Sequence, residues 1–156
     1  IYLKAMRNAK SEAATAFARQ VEQSISSYYN DNGELPIPAS INMKPEINLF
    51  ITDTPGGLGP VNILAGDNPR SVKFLSFKDA RNNKDGVVYD PTGSRITGLY
   101  DPWGNPYFII LDTKYEERII VPFKTPVTLN GKRSAVYSAG PDRILETRDD
   151  IKTWSP

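Results

Sequence analysis

Neither cysteine nor histidine occurs among the 156 residues. Without cysteine, the chain cannot form disulfides, thiolate metal sites or thiol nucleophiles. Without histidine, it lacks the usual general base at neutral pH and the commonest protein ligand for metals. Catalysis by Ser-His or Cys-His arrangements is therefore excluded. A metal site in this chain must use oxygen ligands, which favour calcium or magnesium.

Long apolar runs and an excess of charge are also missing. No stretch approaches the roughly 20 apolar residues that a membrane-spanning helix needs,. Nineteen Lys and Arg residues balance eighteen Asp and Glu residues, which leaves a formal net charge of +1. No dense basic run could neutralise several phosphates, so we expect no nucleic-acid partner. The length and the 39% of hydrophobic residues are typical of one globular domain, residues 1–156,.

The N-terminal region has the pattern of one long amphipathic helix. From Leu3 to Tyr29 there is neither Pro nor Gly, and apolar residues recur at steps of three and four,. These residues are Met6, Ala9, Ala13, Phe17, Val21, Ile25 and Tyr28. An Asn-Gly pair followed by a proline, within residues 32–36, provides a stop and then a helix breaker. We predict a helix over residues 1–32, roughly 40 Å long and longer than a domain of this size needs.

The middle of the chain, residues 33–99, is predicted to be a variable region with little regular structure. Between Ile37 and Pro69 many Pro, Gly and Asn residues indicate an irregular loop with one short helix or strand,. The string TPGGLGP, from Thr54 to Pro60, lacks the lysine of a phosphate loop. We therefore interpret it as a surface loop.

Beyond Arg70, short β-rich runs alternate with turns. Asn130-Gly131 is the favoured signal for a two-residue hairpin, because both turn positions need positive φ. Asp101 to Gly104 has the residues that a type I turn prefers. We predict an antiparallel meander with strands at Val72 to Phe77, Gly86 to Tyr89, Tyr107 to Leu111, Arg118 to Phe123, Val127 to Leu129 and Ser134 to Ser138. The predicted class is α+β, with the long N-terminal helix packed on a small antiparallel β-sheet in residues 100–156.

Acidic residues are concentrated in the C-terminal segment SAGPDRILETRDDIKTW, which is too irregular for a helix or a strand. If this loop closes on itself, Asp142, Asp149 and Asp150 could direct three hard oxygens at one cation. Calcium suits such a loop because it accepts six to eight oxygens in flexible geometry, including backbone carbonyls. An alternative without metal stays open. In it, Asp149 caps a short terminal helix, while Arg143 and Arg148 pair with neighbouring acids on a solvated surface.

Three segments, taken in order, resemble the pilin-like superfamily and most closely the major pseudopilin of type II secretion systems. AKSEAATAFARQVEQSISSYYNDNGELP, at Ala9 to Pro36, is similar to the second half of the pilin helix. DPWGNPY, at Asp101 to Tyr107, is similar to the start of the family's sheet. YSAGPDRILETRDDIKTW, at Tyr137 to Trp154, is similar to its calcium loop. The combination of the three in this order is far more specific than any one of them.

The resemblance implies a structural, non-enzymatic subunit of a type II secretion pseudopilus or a type IV pilus-like filament. In such proteins a hydrophobic helical segment precedes the point where this chain begins. After prepilin peptidase cleavage and methylation, that segment anchors the subunit in the bacterial inner membrane. We therefore expect Ile1 to lie near the junction, with the domain in the periplasm or on a cell-surface filament. The implied partners are further copies of the chain, other pseudopilins and the secretion machinery.

The resemblance also implies a calcium site. The acidic ligands would be Asp142, Asp149 and Asp150, with the carbonyls of Ala139 and Ile144 completing the shell. This chain departs from the family at the same place. The family's loop is glycine-rich, whereas this one contains two arginines and two bulky apolar residues.

Two other functions stay open. The region from Ile37 to Ile96 is longer than the corresponding part of a compact major pseudopilin. The first alternative is therefore a minor pilin or surface binding module that recognises a secreted substrate or another pilin. The more distant one is a carbohydrate-active enzyme, which needs two carboxylates roughly 5 to 9.5 Å apart across a cleft.

Overall fold

One long helix followed by short helices and strands makes up the part of the chain that the computed structural model describes, residues 2–154. The helices are α1 (Tyr2–Asn32), α2 (Ala39–Asn42), a 3-10 helix (Pro55–Gly57) and α3 (Gly59–Leu64). The strands are β1 (Leu49–Ile51), β2 (Gly86–Tyr89), β3 (Ile96–Tyr100), β4 (Phe108–Leu111), β5 (Arg118–Val121), β6 (Val127–Asn130), β7 (Ser134–Ser138) and β8 (Ile151–Lys152). The predicted α+β class, with one long N-terminal helix and antiparallel sheets, is confirmed.

The buried residues of helix α1 begin at Ala14 and continue to Tyr28. Its buried residues lie at steps of three and four: Ala14, Ala18, Val21, Ser24, Ile25 and Tyr28,. The helix ends after Asn32, as predicted. Gly33 has a φ of 74°, and its amide donates to the Tyr29 carbonyl,. Among residues 2–154, none of the helices has the length and hydropathy needed to cross a bilayer.

The central sheet has the strand order β1-β4-β7-β8, and all its neighbouring strands are antiparallel. Side chains alternate between its two faces. Ile109 and Val136 belong to the larger hydrophobic cluster, together with the buried residues of α1. Ile110 and Ala135 belong to a second cluster, together with Val121 from the β5–β6 pair. The helix therefore covers one face of the sheet, and the β5–β6 pair covers the other.

The strand connections differ from the predicted meander. β7 pairs with β4, and β6 pairs with β5. The strands on either side of Asn130-Gly131 therefore do not pair with each other, and the predicted hairpin is wrong. Gly131 does have the positive φ, 76°, but its amide donates to the Glu117 carbonyl. The physical reason is burial: all five residues of β7 are buried, whereas β6 alternates between half-buried and exposed, so only β7 fits the centre of the sheet,.

The predicted strand from Val72 to Phe77 is also wrong. The amides of Phe74 and Leu75 both donate to the Leu64 carbonyl at the end of α3. The Phe74 ring meets the ring of Tyr28 on α1 edge-on, with the centroids 5.2 Å apart. This segment therefore contributes side chains to the core without joining a sheet.

The segment from Ile37 to Pro69 is more ordered than the predicted irregular loop, because it contains α2, β1, the 3-10 helix and α3. The glycine string that we interpreted as a surface loop is exposed at Pro55 and Gly56 but buried at Gly57, Leu58 and Pro60. A Cβ on Gly57 would lie 1.9 Å from the carbonyl oxygen of Ile51, so only glycine allows this close approach,.

Candidate functional site

Asp101 is the centre of a buried hydrogen-bonded cluster. The predicted turn forms, since the Gly104 amide donates to the Asp101 carbonyl at 3.0 Å. The carboxylate itself is 0% exposed. Its Oδ1 accepts from the amides of Trp103 at 3.0 Å and Asn105 at 2.8 Å. Its Oδ2 accepts from the side-chain amide of Asn105 and from the Ser138 hydroxyl, both at 2.8 Å. These hydrogen bonds are what allow a carboxylate to be buried.

Asn105 connects this turn to the start of the C-terminal loop. Its side-chain amide also donates to the Gly140 carbonyl at 2.9 Å. Gly140 has a φ of 74°, and a Cβ there would lie 2.0 Å from the Asp149 carbonyl oxygen. Gly140, just after β7, therefore contacts both the Asp101 turn and the backbone at Asp149. We call Asp101, Asn105, Ser138 and Gly140 the Asp101 cluster.

Two of the predicted metal ligands accept hydrogen bonds from the backbone of the C-terminal loop. The Ile144 amide donates to Oδ1 of Asp142 at 3.0 Å. The Glu146 amide donates to Oδ2 of Asp150 at 2.8 Å, and the Thr147 amide donates to its Oδ1 at 3.3 Å. The two carboxylates therefore close the loop by pairing with its own amides.

The other three predicted ligand positions have different surroundings. Asp149 is exposed and lines a groove beside Ser11 and Thr15 of α1. The Ile144 carbonyl accepts from the Thr147 hydroxyl at 3.2 Å. Ala139 is buried next to the end of β7. Within residues 2–154, no three acidic side chains are placed to share a cation. The oxygen donors fit calcium chemically, but in this conformation they do not converge on one point.

The helix cap and the arginine pairs of the alternative without metal are both wrong for the described residues. Residues 141–154 contain turns, bends and strand β8 but no helix, so Asp149 caps none there. Across residues 2–154, the ion pairs include neither Arg143 nor Arg148.

The electrostatics of the loop differ between its two hydrogen-bonded acids. Burial raises the pKa of Asp150 above its ordinary value, and the charge of Asp142 raises it further, against the lowering effect of the hydrogen bonds,. For Asp142, the Thr147 hydroxyl and the Ile144 amide lower the pKa. A cation near Asp150 would offset the unfavourable burial of its charge.

A second candidate surface is the first part of α1, residues 2–13. Apart from the half-buried Ser11, these residues are exposed. Tyr2 and Leu3 are 75% and 77% exposed, and Met6 is 42% exposed. The domain thus leaves an apolar helix end uncovered.

A third candidate is a cleft of about 600 Å³ in the variable region, next to α3 and the turn between β2 and β3. Tyr89, Lys73 and Arg95 are among its lining residues. Arg95 pairs with Asp67 at 3.4 Å across the same cleft. An aromatic ring beside two cations can contact a polar or anionic group.

The Asp101 cluster was missed by the sequence reasoning, which interpreted Asp101 as the first residue of a turn and as part of the DPWGNPY segment. The available signal was an Asp with an Asn four residues later, in a segment flanked by apolar strands. Ser138 and Gly140 carry no such signal, because they reach the cluster only through the pairing of β7 with β4.

Comparison with protein-family models, with curated proteins and with solved structures gave no match. The functional argument therefore rests on three features of this chain. They are the uncovered end of α1, the Asp101 cluster and the C-terminal loop.

Proposed function

We propose that this chain is a structural, non-enzymatic subunit of a pseudopilus or a type IV pilus-like filament, and that it assembles through α1. The observation that carries the proposal is the uncovered first part of that helix. Residues 2–13 extend roughly 18 Å at about 1.5 Å per residue, and they expose Tyr2, Leu3 and Met6. Exposed apolar surface of this kind is typical of a contact with a partner.

A second observation supports the proposal. Two of the three segments that resemble pseudopilins meet in the Asp101 cluster, where Asn105 hydrogen-bonds to Gly140 and Asp101 to Ser138. The third segment, in α1, packs on the same sheet. The motifs that carry the resemblance therefore form one connected unit rather than three unrelated pieces.

In this proposal the subunit is held in the bacterial inner membrane by a helical segment that precedes the described one. The domain faces the periplasm or the outside of a cell-surface filament. Its partners are copies of itself, other pseudopilins and the secretion machinery. The helix contributes the lateral packing, and the sheet with the C-terminal loop forms the outer surface.

Immunogold electron microscopy of filaments sheared from cells tests the proposal. We expect an antibody against this domain to label the filaments along their whole length. The double variant Leu3→Glu/Met6→Glu should abolish the filaments without lowering the amount of chain in the cell, because it charges the uncovered helix end. Met43→Glu is the matched control, since Met43 is 88% exposed and lies outside α1. Unlabelled filaments, or normal filaments from the double variant, would contradict the proposal.

The cleft beside Tyr89 favours a second candidate, a minor pilin or surface binding module that recognises a secreted substrate or another pilin. The region that holds this cleft is the one without a counterpart in the resemblance. Gold label confined to filament tips would favour this second function over that of a major subunit.

Calcium binding by the C-terminal loop belongs to the same proposal. We expect calcium to raise the midpoint of thermal unfolding relative to chelator, because Asp142 lies close enough for its charge to act on Asp150, and Asp149 is the neighbour of Asp150 in the chain. At a concentration of 100 times Kd, one bound ion stabilises the folded state by about 2.7 kcal/mol. Asp149→Ala should remove the shift. Asp53→Ala, which changes an exposed acid far from the loop in sequence, should retain it.

The pH dependence of this shift follows from the raised pKa of Asp150. Calcium binds the ionised carboxylate, so the shift should be largest well above that raised pKa and should fall as pH drops through it,. Differential scanning calorimetry at a series of pH values measures it. Identical midpoints with calcium and with chelator at neutral pH would show that the loop closes without metal.

A further inference from the structure

A cleft of about 400 Å³ lies beside the middle of α1, between that helix, residues 76–78 and the strands β2 and β3. Aromatic rings form its floor. The centroid of the Phe17 ring is 5.5 Å from that of Tyr107 and 6.2 Å from that of Phe77. Ala13 and Ser76, which also line the cleft, are exposed, so it is open to solvent. This cleft, which we call the α1 cleft, is large enough to receive a bulky apolar side chain.

The C-terminal loop exposes such a side chain on an ordered turn. Ile144 is 62% exposed, whereas the next residue, Leu145, packs against the second hydrophobic cluster. The Ile144 amide donates to Asp142 at 3.0 Å, and the Ile144 carbonyl accepts from the Thr147 hydroxyl at 3.2 Å. These hydrogen bonds hold the turn in place, so binding through Ile144 costs little conformational freedom.

The α1 cleft and Ile144 lie towards opposite edges of the central sheet. The loop that carries Ile144 connects β7 to β8, and β8 is the strand at one edge. Leu99 of β3 lines the cleft, and its amide donates to the carbonyl of Thr52, which directly follows the edge strand β1. The two surfaces therefore do not meet within one copy. A contact between them in neighbouring copies is heterologous and forms a filament unless the rotation between copies closes a ring.

We propose that Ile144 of one copy inserts into the α1 cleft of the next copy. The charges beside the two surfaces are complementary. Arg143 precedes Ile144 and takes part in none of the ion pairs within residues 2–154. Asp85 lines the cleft, is half exposed, and pairs with Lys78 through its Oδ2. A carboxylate has a second oxygen that can accept from a guanidinium. The second copy thus supplies both an apolar side chain for the cleft and a cation for the acid beside it.

This inference deepens the proposed function and rests on it for the filament in the cell. It adds a contact between folded domains to the contact that the first part of α1 makes, and it uses neither Leu3 nor Met6. Labelled filaments without crosslinks between these two surfaces would overturn only this inference. Crosslinked copies of a chain that is absent from filaments would overturn only the proposed function.

Thiol crosslinking of the 156-residue chain in concentrated solution tests the contact, because the chain has no cysteine of its own. Ser76→Cys/Ile144→Cys puts one thiol at the cleft and one on the loop. We expect a bifunctional maleimide to join its copies into dimers, trimers and longer products, since each copy offers a different thiol to each neighbour. Each single variant alone should give little product, and an equal mixture of the two should give dimers.

Ser76→Cys/Met43→Cys is the matched control. Met43 is 88% exposed, but it lies shortly before β1, towards the same edge of the sheet as the cleft. This variant should give no ladder of products. Equal ladders from the two double variants would overturn the inference, because random collisions would then account for both. The inference would also be overturned if the copies did not crosslink, and the cleft would then be left to a different pilin or a secreted substrate.

Ile144→Ser measures how much the side chain contributes to the contact. Losing its burial should weaken association of the copies about tenfold, as measured by sedimentation equilibrium. The midpoint of thermal unfolding should not change, because this side chain is exposed in the single copy. The backbone carbonyl remains, so the variant should keep any calcium-dependent shift. Unchanged association of the copies, or an equal loss in Met43→Ser, would contradict the insertion of Ile144.

Discussion

Asp101→Asn should lower the free energy of unfolding by about 4 kcal/mol, because the amide can replace only one of the two carboxylate oxygens as an acceptor. Each oxygen of Asp101 accepts two hydrogen bonds. On the Oδ1 side the new NH₂ group would face two backbone amides. On the Oδ2 side the Ser138 hydroxyl can accept from it, but its second N–H and the side-chain amide of Asn105 would face each other without an acceptor,. A buried donor left without an acceptor costs about 1 to 3 kcal/mol, and two such losses sum to the expected effect. Urea unfolding followed by circular dichroism measures it.

Asp90→Asn is the matched control for this substitution. The Asp90 carboxylate also accepts from a turn, from the Thr92 hydroxyl at 2.8 Å and the Ser94 amide at 3.0 Å. Those groups are exposed, so water can replace the lost acceptor, and the unfolding midpoint should move far less. If the two variants lost equal stability, burial of the Asp101 carboxylate would not explain how much it stabilises the fold.

Gly140→Ala is expected to have the second large effect, a loss of about 2 to 5 kcal/mol. A residue with a side chain at positive φ costs about 1 to 2 kcal/mol. Overpacking of a closely packed site adds about 1 to 3 kcal/mol. The new Cβ would meet the Asp149 carbonyl oxygen at 2.0 Å, and backbone must move to relieve that contact.

Gly93→Ala separates the cost of the positive φ from the cost of overpacking. Gly93 has the same φ, 74°, as Gly140, but a Cβ there would have nothing within 4 Å. It should therefore lose only about 1 to 2 kcal/mol. The difference between the two variants, from urea unfolding, reports the cost of displacing Asp149. Equal losses would mean that the C-terminal loop does not pack on Gly140 as described.

Gly140→Ala also links stability to the calcium prediction. Moving the backbone at Asp149 displaces one of the expected ligands without removing any carboxylate. If the loop binds calcium, this variant should retain less of the calcium-dependent shift than Gly93→Ala. The pair of glycine variants therefore tests the geometry of the loop independently of its charge.

Local patterns in the sequence predicted those elements whose signal lies within a few neighbouring residues. The apolar steps of three and four predicted α1, and the Asn-Gly pair predicted its end. The run from Ser134 to Ser138 predicted β7 with the correct bounds, because β-branched and aromatic residues favour an extended chain,. The Asp101 turn was predicted for the same reason, since its hydrogen bond closes within four residues.

Elements that depend on distant partners were not predicted. β8 has only two residues, Ile151 and Lys152, and no periodicity can identify so short a strand before its pairing with β7 is known. β3 contains a glycine, and flanking turn residues hide its alternation. The wrong hairpin at Asn130-Gly131 has the same origin, because a turn signal specifies backbone angles and not which strands pair.

For this protein, the sequence alone determined that the chain supplies neither thiol nor imidazole groups, where the long helix lies, and which acidic residues lie close together in the C-terminal segment. These conclusions follow from residue types and local spacing. Only the tertiary structure decided that β7 takes the centre of the sheet, that Asp101 is buried and satisfied by Ser138, and that the loop acids hydrogen-bond to backbone amides. Each of those outcomes depends on contacts between residues far apart in the chain. Such contacts depend on burial and hydrogen bonding across the whole domain. A local sequence pattern contains no information about them.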